Sequence, residues 1–237
     1  MGLIKAVFLD WFNTLALYDP PREELQSKTL REFGIDISPE KIRPALLIAD
    51  KWFFEEYATS PVTRRSPEEQ AKIYARYQQT ILTESGVNLS DVSDILPEIM
   101  KKAQELYRDI RFVLYDDVLP ALKTLKNQDL TLGLLTNVVS DMKPVCTELG
   151  LDPYLNFIVT SGEAGADKPQ PEIFLTALEQ AGVEASEAVH VGDQYKIDIV
   201  GAMGVGIKPI LLDRNDLYPE VTECPRIHSL SELTEYL

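Results

Sequence analysis

The chain has 237 residues, with 23 Lys and Arg against 38 Asp and Glu, for a formal net charge of −15. Such acidity argues against a nucleic-acid or anionic-membrane surface, since both call for basic patches. No apolar run approaches the roughly 18 residues of a membrane span. The length allows one large domain or two small ones, with ample core. The first apolar stretch is short and ends in Asp10, unlike a signal peptide. The two cysteines, Cys146 and Cys224, lie far apart without metal-ligand spacing. Reduced thiols and a cytoplasmic setting are expected.

The first expected element is a strand over Ala6-Val-Phe-Leu9, apolar throughout and followed at once by Asp10. A run of this kind reads as a strand buried on both faces. Its end would lie at the carboxyl edge of a parallel sheet, where open α/β folds place their ligands. Asp10 there has two readings. It caps a turn, or it serves as a nucleophile or metal ligand.

Residues 20–110 have a different texture, with helical periodicity and repeated cap signals. Ser38-Pro39 sets a cap residue before a proline at the first helical position. Ser66-Pro-Glu-Glu69 is a capping box. Gly34 and Gly86 follow expected helix ends. Amphipathic stretches run over Ile42–Tyr57 and Ala71–Leu82. The pattern predicts four helices and no strand.

From residue 113 strands and helices alternate. Helices are expected over Asp117–Lys126, Ser140–Leu149, Pro171–Ala181 and Tyr195–Met203. Gly150 and Gly182 close the second and third. Strands are expected over Leu130–Thr136, Phe157–Thr160, Val189–Val191 and Ile210–Leu212. Repeated βα units imply right-handed crossovers and a doubly wound parallel sheet, so the fold class is α/β.

Chemistry-bearing residues recur at the strand ends. Leu132-Gly-Leu-Leu-Thr-Asn137 ends in a hydroxyl and an amide. Asp167-Lys-Pro puts Lys168 just before a helix. Ala188-Val-His-Val-Gly-Asp193 ends in a carboxylate, with Asp198 five residues later. Strand–Asp, strand–Thr, Lys-Pro and strand–Gly-Asp-x4-Asp, in this order, resemble the four motifs of the haloacid dehalogenase superfamily. The resemblance covers residues 1–16 and 113–237. It implies a Rossmann-like core on those residues and an inserted all-helical C1-type cap on residues 17–112. Linkers are then expected near Leu17–Pro21 and Asp109–Val113.

The resemblance also implies roles. Asp10, Thr136 and Lys168 would be catalytic, with Asp10 forming a covalent aspartyl intermediate. Mg²⁺ would be held by Asp10, Asp193 and the backbone carbonyl of Phe12, hard oxygen ligands suited to that ion. Thr14, Asn137 and Lys168 would bind a small phosphorylated substrate, with Lys168 neutralising charge. Asp198 would orient the site from behind.

One position departs from the pattern. Phosphatases of the superfamily usually carry a second Asp two residues after the nucleophile, to protonate the leaving group and then activate water. Here that residue is Phe12, which can do neither. General acid–base catalysis is typically worth roughly 10²- to 10⁴-fold in rate. The usual glycine that follows is Asn13, which also tolerates a left-handed turn. Three readings follow. A Mg²⁺-dependent phosphatase would act on good leaving groups or take its proton from the cap, for example from Asp19 or a tyrosine. A C–halogen or C–P hydrolase would resemble 2-haloacid dehalogenases in its aromatic Phe12, or phosphonoacetaldehyde hydrolases in Asp10-Trp11. The latter use a cap lysine, for which Lys28 and Lys51 are candidates, while Gly192-Asp193 counts against dehalogenation. The last reading is a binding module with a degraded site.

Overall fold

The computed structural model describes residues 3–107 and 110–237. The described chain divides into two compact units, Met1–Leu17 with Val113–Leu237, and Tyr18–Phe112.

In the first unit the strand β1, Ala6–Leu9, is buried along its whole length. It lies at the centre of a six-stranded parallel sheet with β4 (Thr131–Thr136), β5 (Phe157–Thr160), β6 (Ala188–Gly192), β7 (Lys208–Leu212) and β8 (Arg226–Ile227). The order is β5-β4-β1-β6-β7-β8. Ala6 is in register with Thr131 on one side and Ala188 on the other. Two-sided burial explains the uninterrupted apolar sequences of β1 and β6. Gly133 of β4 makes room for a neighbour, because a Cβ there would lie 2.3 Å from the Phe157 ring. That ring packs edge-on against Phe8 at 5.9 Å. Helices α5 (Val118–Lys126), α6 (Lys143–Glu148), α7 (Ser161–Ala164), α8 (Pro171–Ala181) and α9 (Val200–Gly204) connect the strands. Phe8, Leu135, Ile173, Phe174 and Ala202 meet in one core cluster.

The second unit holds four α-helices, α1 (Arg22–Glu32), α2 (Pro39–Thr59), α3 (Pro67–Glu84) and α4 (Leu96–Leu106). Leu30, Ile42, Leu46, Ile81, Leu82 and Ile99 form its core. The capping box is present: Glu69 N donates to Ser66 Oγ and Ser66 N donates to Glu69 Oε2. Gly34 and Gly86 adopt the left-handed conformation expected after α1 and α3. Asp50 is buried and accepts from both Arg22 and Tyr77.

Four features differ from the sequence expectation. Strands β2 (Ala16–Asp19) and β3 (Arg111–Leu114) pair as a two-stranded sheet where linkers were expected. The expected second linker begins at Asp109, outside the described residues. Helix α6 starts at Lys143 rather than Ser140, because Asp141 Oδ1 accepts from Lys143 N and holds the chain in a turn. The expected helix over Tyr195–Met203 is a π-helical turn, Tyr195–Ile199, followed by α9. The short β8 had not been expected.

Asp117, just before α5, ties distant parts of this unit together. It accepts from Arg214 Nη1 and Nη2 at 2.8 and 2.9 Å, from Ser229 Oγ at 2.8 Å and from Leu230 N at 2.9 Å. Burial alone would raise its pKa, but these donors hold it below 3.8. A depressed folded pKa gives stability that is present above the unfolded value and lost as pH falls through the folded one. Asp117→Asn should therefore cost about 2 kcal/mol at neutral pH, and the gap from wild type should close in acid. Urea unfolding of both proteins across that range checks this. A gap that does not depend on pH would contradict it.

Candidate active site

Strands β4, β1 and β6 are neighbours and parallel, so their carboxyl ends share one sheet edge. Asp10 directly follows β1, Thr136 ends β4, and Asp193 directly follows β6. The Asp10 N–H donates to Val191 O at 2.9 Å, which extends the β1–β6 pairing by one residue. Beyond it the chain turns back sharply. Leu15 N and Ala16 N both donate to Trp11 O, and Asn13 N donates to Ala16 O. Asn13 sits at φ 62°, so the residue that replaces the usual glycine does adopt the left-handed turn. Phe12 is half-buried and bridges to Ala16.

Lys168 comes from the loop before α8. Its side chain is only 1% exposed, and Nζ lies 2.5 Å from Asp10 Oδ1 and 2.7 Å from Asp198 Oδ1. The side-chain amide of Asn137 grips its backbone: Nδ2 donates to Lys168 O at 2.9 Å and Oδ1 accepts from Lys168 N at 2.7 Å. Both ends of the Asn137 side chain are thus engaged by the Lys168 backbone. Thr14 was also expected to contact substrate. It is fully buried and its hydroxyl lacks a hydrogen-bond partner among the described residues, while its carbonyl accepts from Arg214 Nη2 at 3.0 Å. That enclosure places Thr14 in the packing of the turn. Thr136 is nearly buried, and its Oγ1 accepts from Val138 N at 3.3 Å.

Carboxylate oxygens of Asp10, Asp193 and Asp198 all lie within 4.8 Å of one another. Three acids this close to a single lysine perturb one another. Burial is the largest influence on Asp10 and raises its pKa to about 6, against the pull of Lys168 and with the push of Asp198. Burial, then the charges of Asp10 and Asp198, raise Asp193 well above the usual range. Burial would raise Asp198 too, but Lys168 and His190 hold it far below. Burial opposes the charge of Lys168, yet Asp10 and Asp198 outweigh it and raise its pKa.

The donor set suits a hard divalent cation, because the unrelieved repulsion falls on Asp10 and Asp193. Asp198 is differently placed. Its Oδ1 takes Lys168 Nζ and pairs with His190 Nε2 at 3.0 Å, and its Oδ2 accepts from Gln194 N at 3.0 Å. Both Asp198 oxygens are thus engaged, which leaves Asp10 and Asp193 as the carboxylates that could hold a cation.

A family model described as haloacid dehalogenase-like hydrolase matches residues 45–212. The chain belongs to the haloacid dehalogenase-like hydrolase family. The matched stretch begins after Asp10 and after Phe12 and Asn13, the two positions that depart from the superfamily pattern. Similar proteins extend over the whole chain. Haloacid dehalogenase-like hydrolase domain-containing protein 3 from Danio rerio is 29% identical over 98% of this chain and 94% of its own. Glyceraldehyde 3-phosphate phosphatase from Methanopyrus kandleri is 28% identical over 90% and 85%. The magnesium-bound HAD-hydrolase YfnB from Bacillus subtilis superposes with a TM-score of 0.68 at 19% identity, covering 99% and 98%. The protein is accordingly a hydrolase with an α/β Rossmann-like core. Among the described residues, no helix is long and apolar enough to cross a membrane.

Two residues of this hydrolase site have no signal in the sequence. His190 is an ordinary position within an apolar strand, and Gln194 follows Asp193 without a motif of its own. Gly192 belongs to the Gly-Asp motif, and the structure gives the reason for a small residue there. A Cβ there would lie 2.2 Å from Asp198 Cγ and 2.5 Å from its Oδ2. Asp198 cannot yield easily, since it is buried and triply hydrogen-bonded. Gly192→Ala should cost about 1–3 kcal/mol in stability through overpacking and displace Asp198 from Lys168. Thermal unfolding and a crystal structure of the variant check this. An unmoved Asp198 at unchanged stability would refute it.

Proposed function

We propose that this hydrolase is a Mg²⁺-dependent phosphatase or phosphotransferase, acting on a small phosphorylated metabolite in the cytoplasm. The observation that carries the reading is the buried Lys168 ammonium set between Asp10 and Asp198, whose carboxylates converge with that of Asp193. A carboxylate nucleophile must meet an anionic phosphate, and a fixed cation beside it reduces the repulsion. The glyceraldehyde 3-phosphate phosphatase relative supports phosphoryl chemistry by its name.

In this reading Asp10 uses Oδ2, the oxygen not bonded to Lys168, to attack phosphorus. The bond from phosphorus to the leaving oxygen breaks, and that oxygen departs with the electron pair. An acyl phosphate on Asp10 results. Water then attacks the phosphorus, releasing phosphate and restoring the carboxylate. Thr136 keeps its hydroxyl proton to donate to a phosphoryl oxygen. Lys168 balances charge through both steps, and Asp198 with Asn137 holds it in place. Mg²⁺ held by Asp10, Asp193 and the Phe12 carbonyl would supply a Lewis acid for the phosphoryl oxygens. The helical unit serves as the cap that sets specificity. Phe12 favours one further reading, cleavage of a C–halogen or C–P bond, because it supplies no proton to a leaving group.

Calorimetric titration with Mg²⁺ tests the metal site. Wild type should bind, and Asp193→Asn should bind at least about tenfold more weakly, since it loses a charged ligand. Hydrolysis of p-nitrophenyl phosphate should stop when a chelator removes the ion. Equal binding by both proteins, or turnover of haloacids in chelator, would overturn the reading.

A further inference from the structure

The residue after Asp193 does more than continue the chain. Gln194 is 6% exposed, and its Nε2 donates to Asp193 Oδ2 at 2.5 Å. An ionised carboxylate only accepts, so the NH₂ end of the amide must face it. The oxygen end then needs a donor, and Tyr218 Oη supplies one at 3.1 Å. Tyr218 is itself buried and fixed. Asp213, 2% exposed, accepts from Leu217 N at 2.7 Å and from Tyr218 N at 2.9 Å, and it pairs with Arg226 at 3.0 Å. A chain of contacts thus runs from the loop after β7 to a carboxylate beside the nucleophile.

We infer that Gln194 is a positioning residue for Asp193, and that Tyr218 acts through Gln194. This rests on the Mg²⁺ reading above. A free glutamine side chain samples many rotamers, and freezing it costs roughly 1.5–2 kcal/mol. Tyr218 selects one of them. The chosen rotamer occupies Asp193 Oδ2 and leaves Oδ1 as the oxygen presented to a cation. The backbone N–H of Gln194 meanwhile donates to Asp198 Oδ2. One residue therefore fixes the two carboxylates that follow β6, one through its side chain and the other through its backbone. Groups that orient a metal ligand in this way typically change metal affinity 10- to 100-fold when removed.

The test is calorimetric Mg²⁺ titration of the full chain, with thermal unfolding alongside. Gln194→Met keeps length and bulk but loses the donor, and it should weaken Mg²⁺ binding at least about tenfold. Tyr218→Phe keeps the packed ring and should weaken binding several-fold. The double variant should bind no more weakly than Gln194→Met, because Tyr218 acts through the amide. Unchanged Mg²⁺ affinity in the single variants, with or without a lower unfolding temperature, overturns the inference. So does an additive loss in the double variant. If Gln194→Met fails to fold, Tyr218→Phe decides the matter alone. Absence of Mg²⁺ binding by the wild type would instead overturn the metal reading itself, and this inference with it.

Discussion

Acyl phosphates and p-nitrophenyl phosphate should be hydrolysed at least about a hundredfold faster than simple alkyl phosphates, the lower end of what a general acid supplies. The reason is Phe12. Its half-buried ring stands two residues after Asp10 and offers no proton to a departing alkoxide. An acyl or aryl leaving group has a low enough pKa to depart as the anion. The slope of log kcat/KM against leaving-group pKa should therefore be steep. Asp10→Asn should abolish turnover on every member of the series, since an amide is a poor nucleophile. A flat series would mean that another group delivers the proton, and the weight placed on Phe12 would be wrong. Residual turnover by Asp10→Asn would remove the covalent step.

Lys168→Met should cost both activity and stability. Nζ is the cation held against Asp10 and Asp198, and its side chain is 1% exposed. Breaking a buried ion pair by removing one partner typically costs about 3–5 kcal/mol, because the remaining charge is left uncompensated. Here the acids Asp10, Asp193 and Asp198 would be left together. The rate should fall by roughly 10²- to 10³-fold, the order seen when a preorganised charge stabiliser is removed. Lys168→Arg should rescue little. A branched guanidinium cannot occupy a space that holds one nitrogen within 2.7 Å of two different carboxylates. Denaturant unfolding gives the stability and p-nitrophenyl phosphate turnover gives the rate. A folded Lys168→Met protein with wild-type stability and rate would remove Lys168 from the site.

Much of the core was legible because its signals are local. An apolar tetrad followed by Asp10 specified β1, and Asn13 could be read as a turn residue because few side chains tolerate positive φ. Thr136, Lys168 and Asp193 could be located because each stands at the end of an apolar run or before a proline. What escaped had partners far along the chain. Nothing in Val189-His190-Val191 says that the imidazole meets Asp198. Nothing near Gln194 points to Tyr218. Thr14 and Asn137 were given to the substrate because hydroxyls and amides suit phosphate, yet packing encloses the first and the Lys168 backbone engages the second. β2 and β3 were missed because each finds its partner across the whole helical unit and neither is an uninterrupted apolar run. The π-helical turn at Tyr195–Ile199 keeps a helical pattern in sequence, so its changed hydrogen bonding leaves no trace there.

The central place of β1 has a consequence for how the molecule is made. Its two neighbours in the sheet begin at Thr131 and Ala188. Synthesis proceeds at roughly 5–20 residues per second. The strand that delivers Asp10 is thus made well before either neighbour, and it has no complete bed until both have followed. All four of its residues are fully enclosed in the finished protein. During that interval they form an unpaired apolar edge of the kind that draws in wrong partners. Contacts between segments so far apart also make the search for the native pairing slow. The helical unit, whose core residues run only from Leu30 to Ile99, can close in the meantime. The unit that carries Asp10 is therefore begun before the helical unit and finished after it.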